Sequence, residues 1–103
     1  PTTEEELGVA LEVASALTVE CVILFYLGDA AQAMTFVPEL AVLCGRLPSH
    51  GQYIAAHGYY WCGRMFALSG QRGEALRCLR EAKAVKKYPF NIGEKVSKVL
   101  DDL

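Results

Sequence analysis

An all-α fold of antiparallel helical hairpins, about five helices in one domain spanning residues 1–103, is what the amino-acid sequence predicts. Three observations point there. Apolar residues recur at spacings of three and four over long stretches, the period of a helix face. Two glycines, Gly28 and Gly70, interrupt that period 42 residues apart in similar surroundings. No segment alternates apolar and polar residues with the two-residue period of a half-buried strand.

Each element has its own signals. Thr3 followed by Glu6 has the form of a capping box, and Glu4, Glu5 and Glu6 suit the positive end of a helix dipole, so a first helix is expected from about Thr3. Its apolar face runs through Leu7, Ala10, Leu11, Ala14, Leu17, Cys21, Leu24 and Phe25, and Gly28 stops it. Asp29 caps a second helix over about Ala30 to Leu47, with a kink expected at Pro38, which lacks an N–H and crowds the preceding turn. Pro48-Ser49 makes the next turn. A third helix, about His50 to Ser69, carries Tyr53, Tyr59, Tyr60, Trp61 and Phe66 and ends at Gly70. The fourth, about Arg72 to Lys87, sets Ala75, Leu76, Leu79, Ala82 and Val85 against Arg77, Arg80, Lys83 and Lys87. Basic Lys86 and Lys87, then Pro89, mark its end. Asn91 and Glu94 repeat the cap pattern and open a fifth helix to Leu103.

The internal repetition organises these helices. Laying Tyr26-Leu27-Gly28-Asp29-Ala30-Ala31-Gln32-Ala33 on Leu68-Ser69-Gly70-Gln71-Arg72-Gly73-Glu74-Ala75 matches glycine to glycine and alanine to alanine. A helix break followed five residues later by a small side chain lets two helices approach closely, so two hairpins of similar geometry are expected. The first covers about 3–47, the second about 49–88, and a C-terminal helix about 91–103. Over Tyr59 to Pro89 the order Tyr59, Cys62-Gly63, Phe66, Gly70, Ala75, Ala82 and a terminal proline resembles the tetratricopeptide repeat family, with Leu17, Cys21, Leu24, Gly28 and Ala33 as the weaker first copy. The offset of 42 exceeds that family's about 34, which implies extended repeats with longer helices.

The resemblance implies an α-solenoid segment whose first helices line a concave groove for a peptide or helix of another protein. The family's groove positions fall on Ser15, Thr18, Val22, Phe25 and Tyr26 of the first hairpin and on His57, Tyr60, Arg64 and Leu68 of the second. That lining is aromatic and mildly basic. The family members that clamp a C-terminal carboxylate use lysines and asparagines where this chain has Thr18, Val22 and Trp61, so a ligand with apolar anchors is expected instead. The expected function is therefore a protein-interaction module or adaptor. A structural or oligomerising segment of a larger helical-repeat protein, or a small chaperone for an aggregation-prone partner, are the alternatives.

Composition narrows the other classes. Hydrophobic residues make up 52% of the chain, which leaves apolar surface for a partner on so small a domain. Glu12 and Glu20 interrupt the apolar stretch from Leu7 to Leu27, so no membrane span is expected, and the acidic N-terminus lacks the basic residues of a signal peptide. Cys21, Cys44, Cys62 and Cys78 form no C-x-x-C pair and sit in apolar helical contexts, which reads as buried thiols of a reducing, cytoplasmic compartment rather than as disulfides or a zinc site. Catalysis is not expected. There is no phosphate-binding glycine loop and no H-E-x-x-H, and His57 and Cys62, the nearest base and nucleophile, point to different sides of a helix. No cofactor and no metal are expected. The net charge of −2 divides into −6 over residues 1–63 and +4 over residues 64–103, so one end could complement the other in a homo-oligomer or against flanking repeats. Arg77, Arg80, Lys83 and Lys87 share one helix face without interleaved aromatics, which reads as a solvated surface rather than a nucleic-acid site.

Overall fold

The computed structural model describes residues 4–85 and 92–103, and every described element is helical. The expected caps at Thr3 and Asn91, and the basic and proline residues Lys86, Lys87 and Pro89, lie outside the described residues. Helix α1 covers Glu4–Leu27, α2 Ala30–Ala33, α3 Val37–Arg46, α4 Gln52–Leu68, α5 Arg72–Ala84 and α6 Ile92–Asp101, with a short 3₁₀ turn at Ser49–Gly51.

Six helices stand among the described residues where about five were expected, because Pro38 does more than kink the second one. A continuous helix would need the residue 38 N–H to reach the Met34 carbonyl, and proline has none. The chain tightens instead. Thr35 N–H donates to Gln32 O (3.1 Å), Phe36 N–H to Ala33 O (3.0 Å), and the Thr35 hydroxyl also donates to Gln32 O (2.6 Å). A new helix then starts with Pro38 in its first turn, where a missing N–H leaves nothing unsatisfied.

The two glycine stops share one geometry. Gly28 has φ 74° and Gly70 φ 83°, both in the left-handed region that favours glycine. After the first, Asp29 N–H reaches back to Leu24 O (2.9 Å) and Gly28 N–H to Phe25 O (3.1 Å). After the second, Gln71 N–H bonds Phe66 O (2.8 Å) and Gly70 N–H bonds Ala67 O (3.1 Å), the same Schellman pattern 42 residues on. Asp29 and Gln71 then adopt the same conformation (φ −94° for both, ψ 71° and 73°), though only Asp29 caps with its side chain, accepting from Gln32 N–H at 3.1 Å. Ala33 and Ala75 are both fully buried five residues after their glycines. A Cβ at either glycine would meet nothing within 4 Å, so only backbone strain opposes a side chain there. Gly28→Ala and Gly70→Ala should each lower stability by about 1–2 kcal/mol in denaturant titrations. Markedly unequal losses would show that the two stops are not equivalent.

Helix α4 is the hub. It packs against α1, α3, α5 and α6, which explains why Tyr59, Tyr60, Trp61, Cys62, Met65 and Phe66 are all buried and why the helix is apolar over most of its surface. Glycines let the neighbours in. A Cβ on Gly58 would lie 2.5 Å from Cys44 Sγ on α3, and one on Gly63 would lie 2.6 Å from Leu79 Cγ on α5. Helix α5 buries Ala75, Cys78, Leu79 and Ala82, and turns Arg77 and Arg80 to solvent. It ends at Ala84, three residues before the expected Lys87, with Val85 already extended. Helix α6 packs on α5 and α4 through the fully buried Val96, and Lys83 Nζ donates to Ser97 Oγ (3.2 Å) between α5 and α6.

Candidate protein-binding face

The nine residues expected to line a groove separate into three groups, with Ser15 among the exposed ones. Thr18 is the clearest correction: it is 5% exposed, and its hydroxyl donates to Ala14 O at 2.7 Å inside α1. It faces the α4 backbone at Gly58, whose bare Cα lets the two helices close over it. Tyr60 is also no free groove contact, being 6% exposed, because α6 packs across this side of α4. Val22 is half-buried against the core. Phe25 and Arg64 are half-buried but reach the surface, and Tyr26 (74% exposed), Leu68 (50%) and His57 are exposed.

What the structure brings together is an aromatic cluster around one cation. The Phe25 and Trp61 rings meet edge-on at 5.6 Å, Tyr60 and Trp61 at 5.4 Å, and Tyr26 leans on Trp61 at 6.0 Å. Edge-on rings at such distances attract through their quadrupoles. The Arg64 guanidinium carbon sits 4.3 Å from the Phe25 ring centre, 5.0 Å from Trp61 and 5.7 Å from Tyr60, within cation–π range of all three. Its Nη1 also makes a long hydrogen bond to the Tyr60 hydroxyl (3.4 Å). Among the described residues the ion pair within 4 Å is Arg77 with Glu74, so Arg64 meets no carboxylate at that distance.

Helix α6, expected only as a C-terminal helix with no part in the groove, completes the face. A recess of about 200 Å³ is lined by Phe25, Arg64, Ala67, Leu68, Val99 and Asp102. A second, of about 230 Å³, replaces the α1 wall with Tyr60, Lys95 and Lys98. Arg64 stands between them. The His57 imidazole is held below its ordinary value first by desolvation and then by the charge of Lys95.

The thiols take no part in this face. Burial pushes Cys21 and Cys44 up to about 12, Cys78 to about 11 and Cys62 higher still. Cys21 Sγ points at Trp61 O (3.6 Å) and Cys62 Sγ at Val37 O (3.7 Å), contacts of core side chains. Cys62 is fully buried while His57 is exposed, so this nucleophile and base share no surface. Helix α1 has one further property: it is long and apolar enough to cross a bilayer, and little of its apolar stretch is buried. Compared with models of known protein families, with curated proteins and with solved structures, the chain matches none.

Proposed function

We propose that the chain is a protein-interaction module that receives a peptide or helix of another protein across the face formed by α1, α4 and α6. The observation that carries this reading is Arg64. Its guanidinium is stacked beside three aromatic rings and lacks an acidic partner among the described residues, with the exposed side chains of Tyr26 and Leu68 next to it. Arginine and aromatic side chains dominate protein-binding hot spots because they combine large contact area with directed hydrogen bonds. A ligand with one apolar anchor for Tyr26 and Leu68 and one carboxylate for Arg64 suits this surface. The tetratricopeptide-like reading fits the same picture, since each glycine stop joins helices that pack on each other, as hairpins do.

Affinity capture with the purified chain tests the reading. Arg64→Gln and Tyr26→Ala should each weaken partner retention by about tenfold or more, the loss of about 1.4 kcal/mol or greater that marks a hot-spot residue. Circular dichroism melts of both variants should stay near the parent. Retention unchanged in both would remove this face from consideration.

A further inference from the structure

A second surface, on the far side of α1, is assigned by the internal repeat itself. A groove of about 490 Å³ lies between α1 and α3, and one of about 560 Å³ between α4 and α5. Val13, Leu17, Glu39, Val42 and Leu43 line the first; adding 42 to each number gives Ala55, Tyr59, Glu81, Ala84 and Val85, which line the second. The second groove has another wall. Leu47, Pro48 and Ser49, from the turn that leaves α3, add a third wall to it. The first groove is lined by α1 and α3 alone.

The same relation holds for helix faces. Gly58, Trp61, Cys62 and Met65 are buried where α4 meets the preceding helices: Gly58 faces Thr18 and Cys44, Trp61 packs on Phe25 and Tyr26, and Cys62 points at Val37. Their counterparts on α1 are Ala16, Val19, Glu20 and Ile23, and all four are exposed, Ile23 to 54%. The α1 face has the form of a stacking surface without its neighbour.

We infer that this α1 face and the groove beside it seat the end of a helical hairpin from a different protein chain. That hairpin presents apolar residues to Val9, Val19 and Ile23 and a basic residue to each of Glu12 and Glu20. The acids set the charge. Glu12 and Glu20 flank Ala16 within the apolar face, and carboxylates covered by a partner need cations opposite them. Two copies paired through their α1 helices do not supply these. Antiparallel pairing of two α1 helices about Ala16 sets Glu12 against Glu20 of the other copy. Stacking α1 on the other end of a copy is blocked, because α6 already lies against α4 and α5 as α4 lies against α1 and α3. The turn at residues 47–51, which leaves α3, has no counterpart here: the corresponding residues 5–9 are helical in α1.

The test is a titration of the full chain with a designed helical hairpin that carries an alanine and leucine face and two arginines eight positions apart, the spacing of Glu12 and Glu20. Its arginine-to-glutamate twin is the control. The arginine hairpin should bind, the twin at least tenfold more weakly, and Ile23→Asp and Val19→Asp should each abolish binding while their melts stay near the parent. Glu12→Gln with Glu20→Gln should erase the preference between the twins. Arg64→Gln should leave this binding untouched, which separates the surface from the aromatic face described above. Equal binding of both hairpins, or binding that survives Ile23→Asp, overturns the inference. So does sedimentation of the chain alone as a dimer that Ile23→Asp dissociates, or flotation with phosphatidylcholine vesicles that the same change abolishes.

Discussion

Raising the pH from 9 to 12 should unfold the protein, and the buried thiols should be the cause. Cys21 and Cys44 rise from an ordinary 9.0 to about 12, and Cys78 to about 11, because ionisation would place a thiolate in a dry core. A group whose folded value lies above its unfolded one stabilises the fold fully below the unfolded value, and that contribution is lost as pH rises through the folded value. At about 1.36 kcal/mol per pH unit, Cys21 and Cys44 would each withdraw about 4 kcal/mol by pH 12. Tyr59, also raised by burial, acts in the same direction. The total rivals the about 5–15 kcal/mol that holds a domain of this size together. Circular dichroism during an alkaline titration should show a cooperative loss of helix, and Cys21→Ala with Cys44→Ala should move its midpoint upward. An unmoved midpoint would show that other groups drive the transition.

Gly58→Ala should destabilise the native state by about 1–3 kcal/mol although alanine is the better helix former. The added Cβ would lie 2.5 Å from Cys44 Sγ and 3.3 Å from Thr18 Oγ1, so the clash falls where α1, α3 and α4 meet. Both of these side chains are buried and have little room to yield. Cys44→Ala deletes the nearest atom and should recover much of the loss when combined with Gly58→Ala, a coupling that denaturant titrations of the double-mutant cycle would measure. Simple additivity would place the strain elsewhere.

The helices were legible because their signals are local. Gly28, Gly70 and Asp29 act through their own backbone or their next few residues, so sequence alone located both stops and one cap. The break after Ala33 was only half legible. Pro38 announced a disturbance, but whether a proline kinks or restarts a helix depends on where the freed carbonyls find donors, and here tighter i to i+3 bonds and the Thr35 hydroxyl decided it. The binding face was less legible still. Thr18 and Tyr60 occupy positions that a repeat pattern marks as groove-lining, yet their burial follows from how closely α1 approaches Gly58 and from where α6 comes to rest. Those are distances between elements remote in sequence, and no spacing rule contains them. Lys95, Lys98, Val99 and Asp102 were missed for the same reason.

The central position of α4 has a consequence for how the molecule comes apart. In long helical arrays each unit touches only its neighbours, so ends can fray while the middle stays folded. Here one helix touches all five of the others described. Detaching α1, α3 or α5 strips a face of α4 that holds Trp61, Met65 or Phe66, and α4 cannot then keep its remaining partners in place. Repetition in the sequence should therefore coexist with all-or-none unfolding: the two halves echo each other, but α4 joins them in one core.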